Sequence, residues 1–231
     1  MATVLIVNAD DLGYDPAIDR GILEGHTRGI VTSASAMVDT PFAARALAEA
    51  PATLELGLHV VVRDSCGAAE LASEIARQLA RFRALRGAAP THLDSHRHAH
   101  ASPAALPAFA DAALAEGIPL RALDGAMRDA LRRRGVKTAD AFLGDAALRP
   151  CWSRERLLAA VVALPQGVVE LMCHPGYPPA HVRTSFGAER EVELAALREP
   201  AVRAAVASAD VDLRGFAAAF ASQVKSPGPR G

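Results

Sequence analysis

Residues 4–13 read Val-Leu-Ile-Val-Asn-Ala-Asp-Asp-Leu-Gly, an apolar and partly β-branched run that ends in two acids and a glycine. The apolar part predicts a buried strand that stops at Val7, and the polar part predicts a loop. Asp15 and Pro16 follow, as an N-cap residue and a proline at the first helical position. This order of strand, polar loop and helix is the unit from which parallel sheets are built.

The same alternation continues along the chain. Further strands are predicted over 31–38, 54–62, 91–96 and 168–173, weaker ones over 119–123 and 140–143, and helices over 41–50, 69–86 and 102–116. We therefore expect an α/β fold, a distorted (β/α) barrel similar to a TIM barrel but with fewer than eight regular strands. In such folds the functional residues gather at the carboxyl ends of the strands. We expect one domain over residues 1–224 and a flexible tail over 225–231.

Composition and charge exclude several classes of protein. Acidic and basic residues nearly cancel, at 26 against 25, so no net field favours nucleic acid or an anionic membrane. The arginines are scattered along helical stretches, where we expect solvated faces. There is no basic leader and no apolar run of about 18 residues, so we expect neither a secretory signal nor a membrane span, and a cytoplasmic location. Cys66, Cys151 and Cys173 have no metal-knuckle spacing, and we expect buried or incidental thiols.

Polar clusters lie at the carboxyl ends of four predicted strands. They are Asp10-Asp11, His59, residues 91–100 and His174, and they contain six of the eight histidines. Imidazole and carboxylate groups are suitable ligands for a divalent cation, and two histidines with one acid leave coordination positions open. The clusters therefore predict a catalytic metal site at this end of the sheet.

Each cluster also has a structural alternative. Asp10 and Asp11 could form a turn or cap a helix, His59 could be a half-buried histidine, and His174 could end a strand. The run over 91–100 is the strongest signal, because four histidines and one aspartate lie within ten residues. Its Asp94, His96 and His98 are spaced two residues apart, so an extended backbone would place them on one face.

Five motifs resemble a known family. They are Leu5-Ile-Val-Asn-Ala-Asp-Asp-Leu-Gly13, Gly29-Ile-Val-Thr-Ser33, Gly57-Leu-His59, Pro90-Thr-His-Leu-Asp-Ser-His-Arg-His-Ala-His100 and Glu170-Leu-Met-Cys-His-Pro-Gly-Tyr177. In this order they resemble the YdjC-like carbohydrate deacetylases, which include chitooligosaccharide deacetylases and relatives associated with hopanoid biosynthesis. The resemblance implies a distorted barrel and the hydrolysis of an N-acetyl group on an amino sugar or a glycan that contains one.

The resemblance also assigns roles. It implies that Mg²⁺, with Zn²⁺ or Mn²⁺ as alternatives, is bound by Asp11, His59 and His96. It suggests Asp10 as the general base and His174 as an acid or substrate-orienting group. If Asp10 and its neighbour are both to face the metal, the backbone must leave extended geometry there, which the turn at Gly13 would permit.

Four more residues are expected around the ligands or the substrate: Asp94, His92, His98 and His100. Asp94 is expected to orient a histidine ligand by accepting its other ring proton.

One departure from the family pattern concerns the segment after His59. Family members usually carry a long insertion there, whereas only 32 residues separate His59 from His92 in this chain. The wall of the sugar cleft is thus reduced, and a partner chain in a homodimer is one way to complete it.

Two other functions stay open. An open His-His-Asp site also suits a metal-dependent hydrolase of a phosphoester or a cyclic amide. A non-catalytic protein that binds sugar or metal is the third reading. The presence of both Asp10 and His174 argues against this reading, because a binding protein has little use for a base and an acid.

Overall fold

The structure is a computed structural model that describes residues 3–63, 67–144 and 151–221. The strands are β1 (Thr3–Leu12), β2 (Ser33–Ala36), β3 (Glu55–Val60), β4 (Leu93–Ser95), β5 (Ala141–Leu143), β6 (Val168–Cys173) and β7 (Val211–Leu213). The helices are α1 (Pro16–Arg28), α2 (Ala43–Glu49), α3 (Ala68–Arg86), α4 (Leu106–Glu116), α5 (Gly125–Arg133), α6 (Arg154–Val162), α7 (Glu189–Arg198), α8 (Pro200–Ser208) and α9 (Phe216–Ala221). The predicted tail over 225–231 and Cys66 lie outside the described residues.

All strand pairs of the sheet are parallel, in the order β4-β3-β2-β1-β6-β5. The strand β1 is central, because it pairs along its length with β6 and shares its other edge between β7 and β2. The predicted fold class is confirmed: helices alternate with a parallel sheet that curves into a distorted barrel.

The edge beyond β4 is continued by irregular backbone. Leu120 forms one parallel bridge to Leu93, and its N–H donates to the carbonyl of Lys137. The predicted strand over 119–123 is therefore reduced to a single bridging residue. The chain turns soon afterwards because the Asp124 side chain caps α5 by accepting from the Met127 N–H.

The first strand is longer than predicted. It continues through the expected loop to Leu12, and its register with β2 shifts between Ala9 and Leu12. Asp11 lies in this irregular part and has a φ of 77°, a left-handed conformation that is uncommon outside glycine. The backbone thus leaves extended geometry where two neighbouring acids have to reach the same cavity.

Apolar packing closes the opposite end of the sheet. Ile6 and Val168 pack with Phe216 and Phe220 of α9 in a cluster separate from the main core. The Glu55 carboxylate accepts backbone N–H groups in the first turn of α9 and holds the helix in place. The carboxyl ends of the strands are the ends left for a site.

No described helix has the length and apolarity needed to cross a membrane.

Two glycines bring α1 into close contact with the segment after β6. A Cβ on Gly21 would lie 2.3 Å from the Cα of Gly176. The neighbouring Tyr177 N–H donates to the Ala17 carbonyl across the same contact. Only glycine allows these backbones to approach so closely.

We expect Gly21→Ala to destabilise the protein by about 1–3 kcal/mol, the usual effect of overpacking. The sign of this change identifies overpacking as the cause, because alanine in a helix is otherwise more stable than glycine by roughly 1 kcal/mol. Gly187→Ala is the control, since a Cβ there meets nothing within 4 Å. The free energy of unfolding in urea measures both changes, and a stabilised Gly21→Ala variant would contradict the packing described.

Candidate functional site

A cavity of about 520 Å³ opens at the carboxyl ends of the strands. It is lined by Asp10, Asp11, Tyr14, His59, His96, Arg97, His98, Cys151, His174, Arg183, Thr184, Ser185, Phe186 and Arg190. The cavity thus brings together all five residues predicted as metal ligands, base or acid. They come from β1, from β3, from the turn after β4 and from the residue directly after β6.

The three predicted ligands lie close together. The Asp11 Oδ1 atom is 3.5 Å from His59 Nε2 and 3.4 Å from His96 Nδ1. One donor atom from each residue lies within 4.8 Å of the other two. Ligands about 2.1 Å from an ion at tetrahedral angles are separated by about 3.4 Å, so the spacing fits a divalent cation. Asp11 Oδ1 is also buried with no hydrogen-bond partner among the described residues, as expected for an atom whose partner is an ion.

Asp11 carries an ionised carboxylate. Burial raises the pKa of this group, but Arg190, the nearby His96 and the other neighbouring histidines hold it well below the usual value. The Nη2 atom of Arg190 donates to Asp11 Oδ2 at 2.5 Å, so the oxygen facing away from the histidines is already bonded. An ion would therefore meet a charged aspartate with one free oxygen.

His59 is held by Asp94. Its Nδ1 donates to Asp94 Oδ1 at 2.7 Å, which leaves Nε2 facing Asp11. This is the orienting contact that the sequence predicts for Asp94. Burial lowers the pKa of His59, but Asp94 and Asp10 raise it to about 9. Without an ion the ring is therefore protonated at neutral pH, and a cation would replace that proton.

Arg121 connects the carboxylates behind the ligands. Its guanidinium donates to both oxygens of Asp10 at 2.7 and 2.8 Å, to Asp94 at 2.7 Å and to Glu170 at 2.6 Å. The side chain is 1% exposed, so these are buried ion pairs. One cation thus joins acids from β1, β4 and β6.

A second group of possible ligands is Asp10, His59 and Asp94. The Arg121 guanidinium bonds to both of these aspartates, so a positive charge already fills the space between them. A divalent cation there would be repelled and would have to break buried ion pairs. We therefore retain Asp11, His59 and His96 as the candidate metal group.

The environment of Asp10 distinguishes its two oxygens. Oδ1 lies within 3.2 Å of donors from Asn8, Ser35 and Arg121, whereas Oδ2 has one donor, Arg121, among the residues that the structure describes. Burial raises the pKa of Asp10, but the charge and the hydrogen bonds of Arg121 lower it, and the net pKa lies below the ordinary value. Asp10 is therefore ionised, and Oδ2 is the atom with room to accept a proton.

The segment after β4 differs from the prediction. His96–Ala101 form a short 3₁₀ turn in which Arg97 and His98 have φ angles of 53° and 54°. The spacing argument for Asp94, His96 and His98 is therefore wrong, because the backbone is extended only as far as Ser95. The left-handed residues reverse the chain, so that His96 and His98 both line the cavity without a shared strand face.

His174 follows β6 directly. Its backbone N–H donates to the buried Glu193 carboxylate at 2.7 Å, and its ring lies 5.2 Å from the ring of Phe186. The ring atom Nδ1 is buried with no hydrogen-bond partner among the described residues. The structure thus fixes the backbone of His174 and leaves the ring at the cavity with unused hydrogen-bonding capacity.

Two predicted histidines lie away from the cavity. His92 stacks on Phe216 at 3.8 Å between ring centroids, and His100 Nδ1 bonds to Ser95 Oγ at 2.6 Å. Both are fully buried, and burial lowers the pKa of each to about 3, so they are neutral. Their contacts support the turn and the barrel interior, and neither residue lines the cavity.

Arg121 and Arg190 were not predicted as site residues. Both are buried, so the expectation that the arginines lie on solvated helix faces is wrong for these two. Arg121 lies in the middle of the weak strand predicted over 119–123, so a search for polar residues at the carboxyl ends of strands does not select it. Arg190 lies in a helix far along the chain, and no local pattern marks it.

Comparison with known proteins gives a consistent set of relatives. The sequence profile of the family described as "YdjC-like protein" matches residues 4–208. A chitooligosaccharide deacetylase of Serratia marcescens is 34% identical over 256 positions, covering 94% of this chain and 97% of that protein. A carbohydrate deacetylase of Geobacillus stearothermophilus is 31% identical, covering 92% and 96%.

Solved structures share the fold. A protein of Enterococcus faecalis V583, with a proposed role in cellobiose-phosphate cleavage, superposes with a TM-score of 0.86 at 25% identity, covering 94% of this chain and 99% of its own. A family 4 carbohydrate esterase of Streptomyces lividans, solved with acetate, has a TM-score of 0.55 at 15% identity and covers 91% of each chain. At that identity the esterase supports the fold alone.

The pKa of Glu170 gives a prediction about stability and pH. Burial raises this pKa from 4.5 to about 7, against the opposing effect of Arg121. Between pH 4.5 and 7 the folded protein therefore binds more protons at Glu170 than the unfolded chain, so the stability contributed by this group falls as the pH rises. We expect Glu170→Gln to gain stability relative to the natural protein across this window.

Urea unfolding at several pH values measures the effect. Glu49→Gln, on the exposed end of α2, is the control and should run parallel to the natural protein. A constant difference between Glu170→Gln and the natural protein from pH 4.5 to 7 would show that Glu170 does not titrate there.

Proposed function

The chain belongs to the YdjC-like family, and from this membership we propose that it is a metal-dependent carbohydrate deacetylase that hydrolyses the N-acetyl group of an amino sugar. The observation that carries the proposal is the convergence of Asp11, His59 and His96 in one cavity with Asp10 and His174. A ligand set, a base and an acid in one cavity are the parts that amide hydrolysis needs.

In the proposed site Asp11, His59 and His96 would hold one divalent cation. When bound, such an ion polarises the substrate carbonyl and makes water more acidic. The resemblance implies Mg²⁺, but Mg²⁺ prefers oxygen ligands, whereas two imidazoles and one carboxylate suit Zn²⁺ or Mn²⁺ at least as well. The ion's identity is therefore a matter for titration with each metal.

We propose Asp10 as the general base, acting through Oδ2. Arg121 keeps this carboxylate ionised and fixes its plane, because two guanidinium nitrogens bond to its two oxygens. The same contact makes Asp10 a weak base. A base this weak would need the more acidic water that a bound ion would supply.

We propose His174 as the group that delivers a proton to the departing sugar nitrogen. Its backbone is anchored to Glu193, and its ring packs beside Phe186 at the cavity wall. A proton donor held in this way contributes about 10²–10⁴-fold to the rate of such a reaction. Asp10 lies in β1 and His174 directly follows β6, and these two strands pair, so base and acid sit at one rim of the cavity.

The proposed substrate is an acetylated amino sugar or a glycan containing one, in line with the names of the relatives. The cavity of about 520 Å³ lies in the usual range for ligand sites. Tyr14 and Phe186 offer aromatic surface beside the candidate ligands. The alignment with the Serratia relative is longer than this chain, at 256 positions against 231, so that protein carries additional residues. Completion of the cleft by a homodimer stays a prediction.

A second candidate is hydrolysis of a phosphoester. Arg97 and Arg183 line the cavity and have no salt-bridge partner in the described part of the chain. Guanidinium groups bind phosphate well, so this observation favours an anionic group on the substrate. A phosphorylated, N-acetylated amino sugar would fit both the cavity arginines and the names of the relatives. Hydrolysis of a phosphoester without an acetyl group would release phosphate and no acetate.

Acetate release tests the proposal directly. We expect the purified protein, loaded with Zn²⁺, Mn²⁺ or Mg²⁺, to release acetate from N-acetylglucosamine oligomers, and chelator to abolish the release. Phosphomonoesters serve as the competing substrates. Asp10→Asn should bind the metal yet lose at least about 10²-fold in kcat, because the base is removed while the ligands stay. Phosphate release without acetate, or an active Asp10→Asn variant, would overturn the assignment.

Metal content separates the roles of the other residues. We expect His96→Ala to lose the ion, because it removes one of three protein ligands. Asp94→Ala should weaken binding by about 10–100-fold without abolishing it, because it removes the group that orients His59. Calorimetric titration of the metal-free proteins measures both effects. One ion bound with unchanged affinity in His96→Ala would show that the ligand set is misassigned.

A further inference from the structure

Arg190 is a buried arginine that the proposed reaction does not use. It lies in the first turn of α7 and is 2% exposed. Its Nη2 donates to Asp11 Oδ2 at 2.5 Å, and its Nε donates to the Phe186 carbonyl at 2.9 Å. A full positive charge is thus buried directly against a proposed metal ligand, although burial of an arginine is costly.

This contact divides the Asp11 carboxylate between two partners. Oδ1 faces His59 and His96, whereas Oδ2 is bonded to Arg190. A carboxylate can bind a cation through one or both oxygens, and here only one is free. The hydrogen bond from Arg190 also draws negative charge away from the free oxygen.

The position of Arg190 is fixed from both sides. Its backbone carbonyl accepts from the Gly176 N–H at 3.2 Å. A Cβ on Gly176 would lie 3.1 Å from the Arg190 Cδ, so the glycine and the arginine stem are tightly packed. The residue therefore connects Asp11 of β1 with the segment that follows His174. It cannot swing away from Asp11 without disturbing that packing.

We propose that Arg190 is a positioning residue that restricts Asp11 to ligation through one oxygen of reduced charge, so that the bound cation stays electrophilic. The proposal rests on the proposed deacetylase function and its ion site. Arg190 and the ion are both positive and share one carboxylate, so each weakens the attraction of Asp11 for the other. Arg190 thus lowers the affinity for the ion and increases its effect on the substrate carbonyl.

Removal of Arg190 is expected to raise the affinity for the ion and to lower kcat. Without Arg190, the buried Asp11 loses the counter-charge on Oδ2 and offers two oxygens, so the ion binds more tightly. The same ion is better neutralised, so catalysis slows. A residue that only supported the fold would lower both metal affinity and turnover when removed.

The test compares Arg190→Met and Arg190→Lys with Arg198→Met. Arg198 is the matched control, because it lies on the same helix and bonds to Glu24 at 2.8 Å, outside the cavity. Each metal-free protein is titrated with Zn²⁺ and with Mn²⁺ by calorimetry at one pH. Acetate release gives kcat and KM separately.

We expect Arg190→Met to bind either ion at least about tenfold more tightly, since one charge near the site has been removed. Its kcat should fall by at least about tenfold while KM changes by less than about threefold. Arg190→Lys keeps the charge, so its affinity should stay within about threefold of the natural protein, with part of the lost kcat restored. Arg198→Met should change neither quantity.

Weaker binding of both ions by Arg190→Met, together with a lower kcat, would overturn the proposal and leave Arg190 a purely structural role. If circular dichroism shows that Arg190→Met does not fold, Arg190→Lys decides the question: unchanged affinity with reduced kcat supports the proposal, and reduced affinity overturns it. If the natural protein binds the ions but releases no acetate, the deacetylase function fails, while the calorimetric comparison still judges Arg190. If it binds neither ion, both fail.

Discussion

The Arg121 guanidinium, shared by Asp10, Asp94 and Glu170, is the interaction on which the candidate site depends. Three carboxylates from three strands meet inside the sheet, and without a cation between them their mutual repulsion in a dry environment would be severe. Arg121 satisfies them with four short contacts. The arrangement then propagates outward, because Asp94 orients His59 and Asp10 reaches the cavity beside Asp11. Removing one partner of such a buried cluster typically costs about 3–5 kcal/mol.

A second constraint is backbone strain concentrated at the cavity. Asp11, Arg97 and His98 all have positive φ without being glycine, and each such residue costs of order 1–3 kcal/mol. All three line the same cavity. The strain persists because the surroundings determine the conformation. The strand β1 is paired on both edges, and Ser95 Oγ accepts the His100 N–H across the turn. The gain is positional, since Asp10 and Asp11 can both face one site.

Much of this could be predicted from sequence, for identifiable reasons. The strand over 168–173 and the helix that begins at Pro16 match the structure because a short apolar run and an N-cap followed by proline are local signals. The ligand candidates could be predicted because the carboxyl ends of parallel strands converge. The turn after Ser95 could not be predicted, because left-handed residues in a sequence without glycine have no local signature. Nor were the partners of the acids, since Arg121 lies 111 residues from Asp10 and Arg190 lies 179 residues from Asp11.

The central place of β1 has a consequence for the order of events during synthesis. The strand is made before the rest of the sheet, yet its long partner β6 begins at Val168, and the arginine on Asp11 comes later still. A chain still attached to the ribosome with only its amino-terminal half exposed has all three candidate ligands but lacks the framework that holds them. Such nonlocal pairing forms late and slowly. In the proposed function, the ion would therefore bind the finished polypeptide, because only then are the three candidate ligands held in one place.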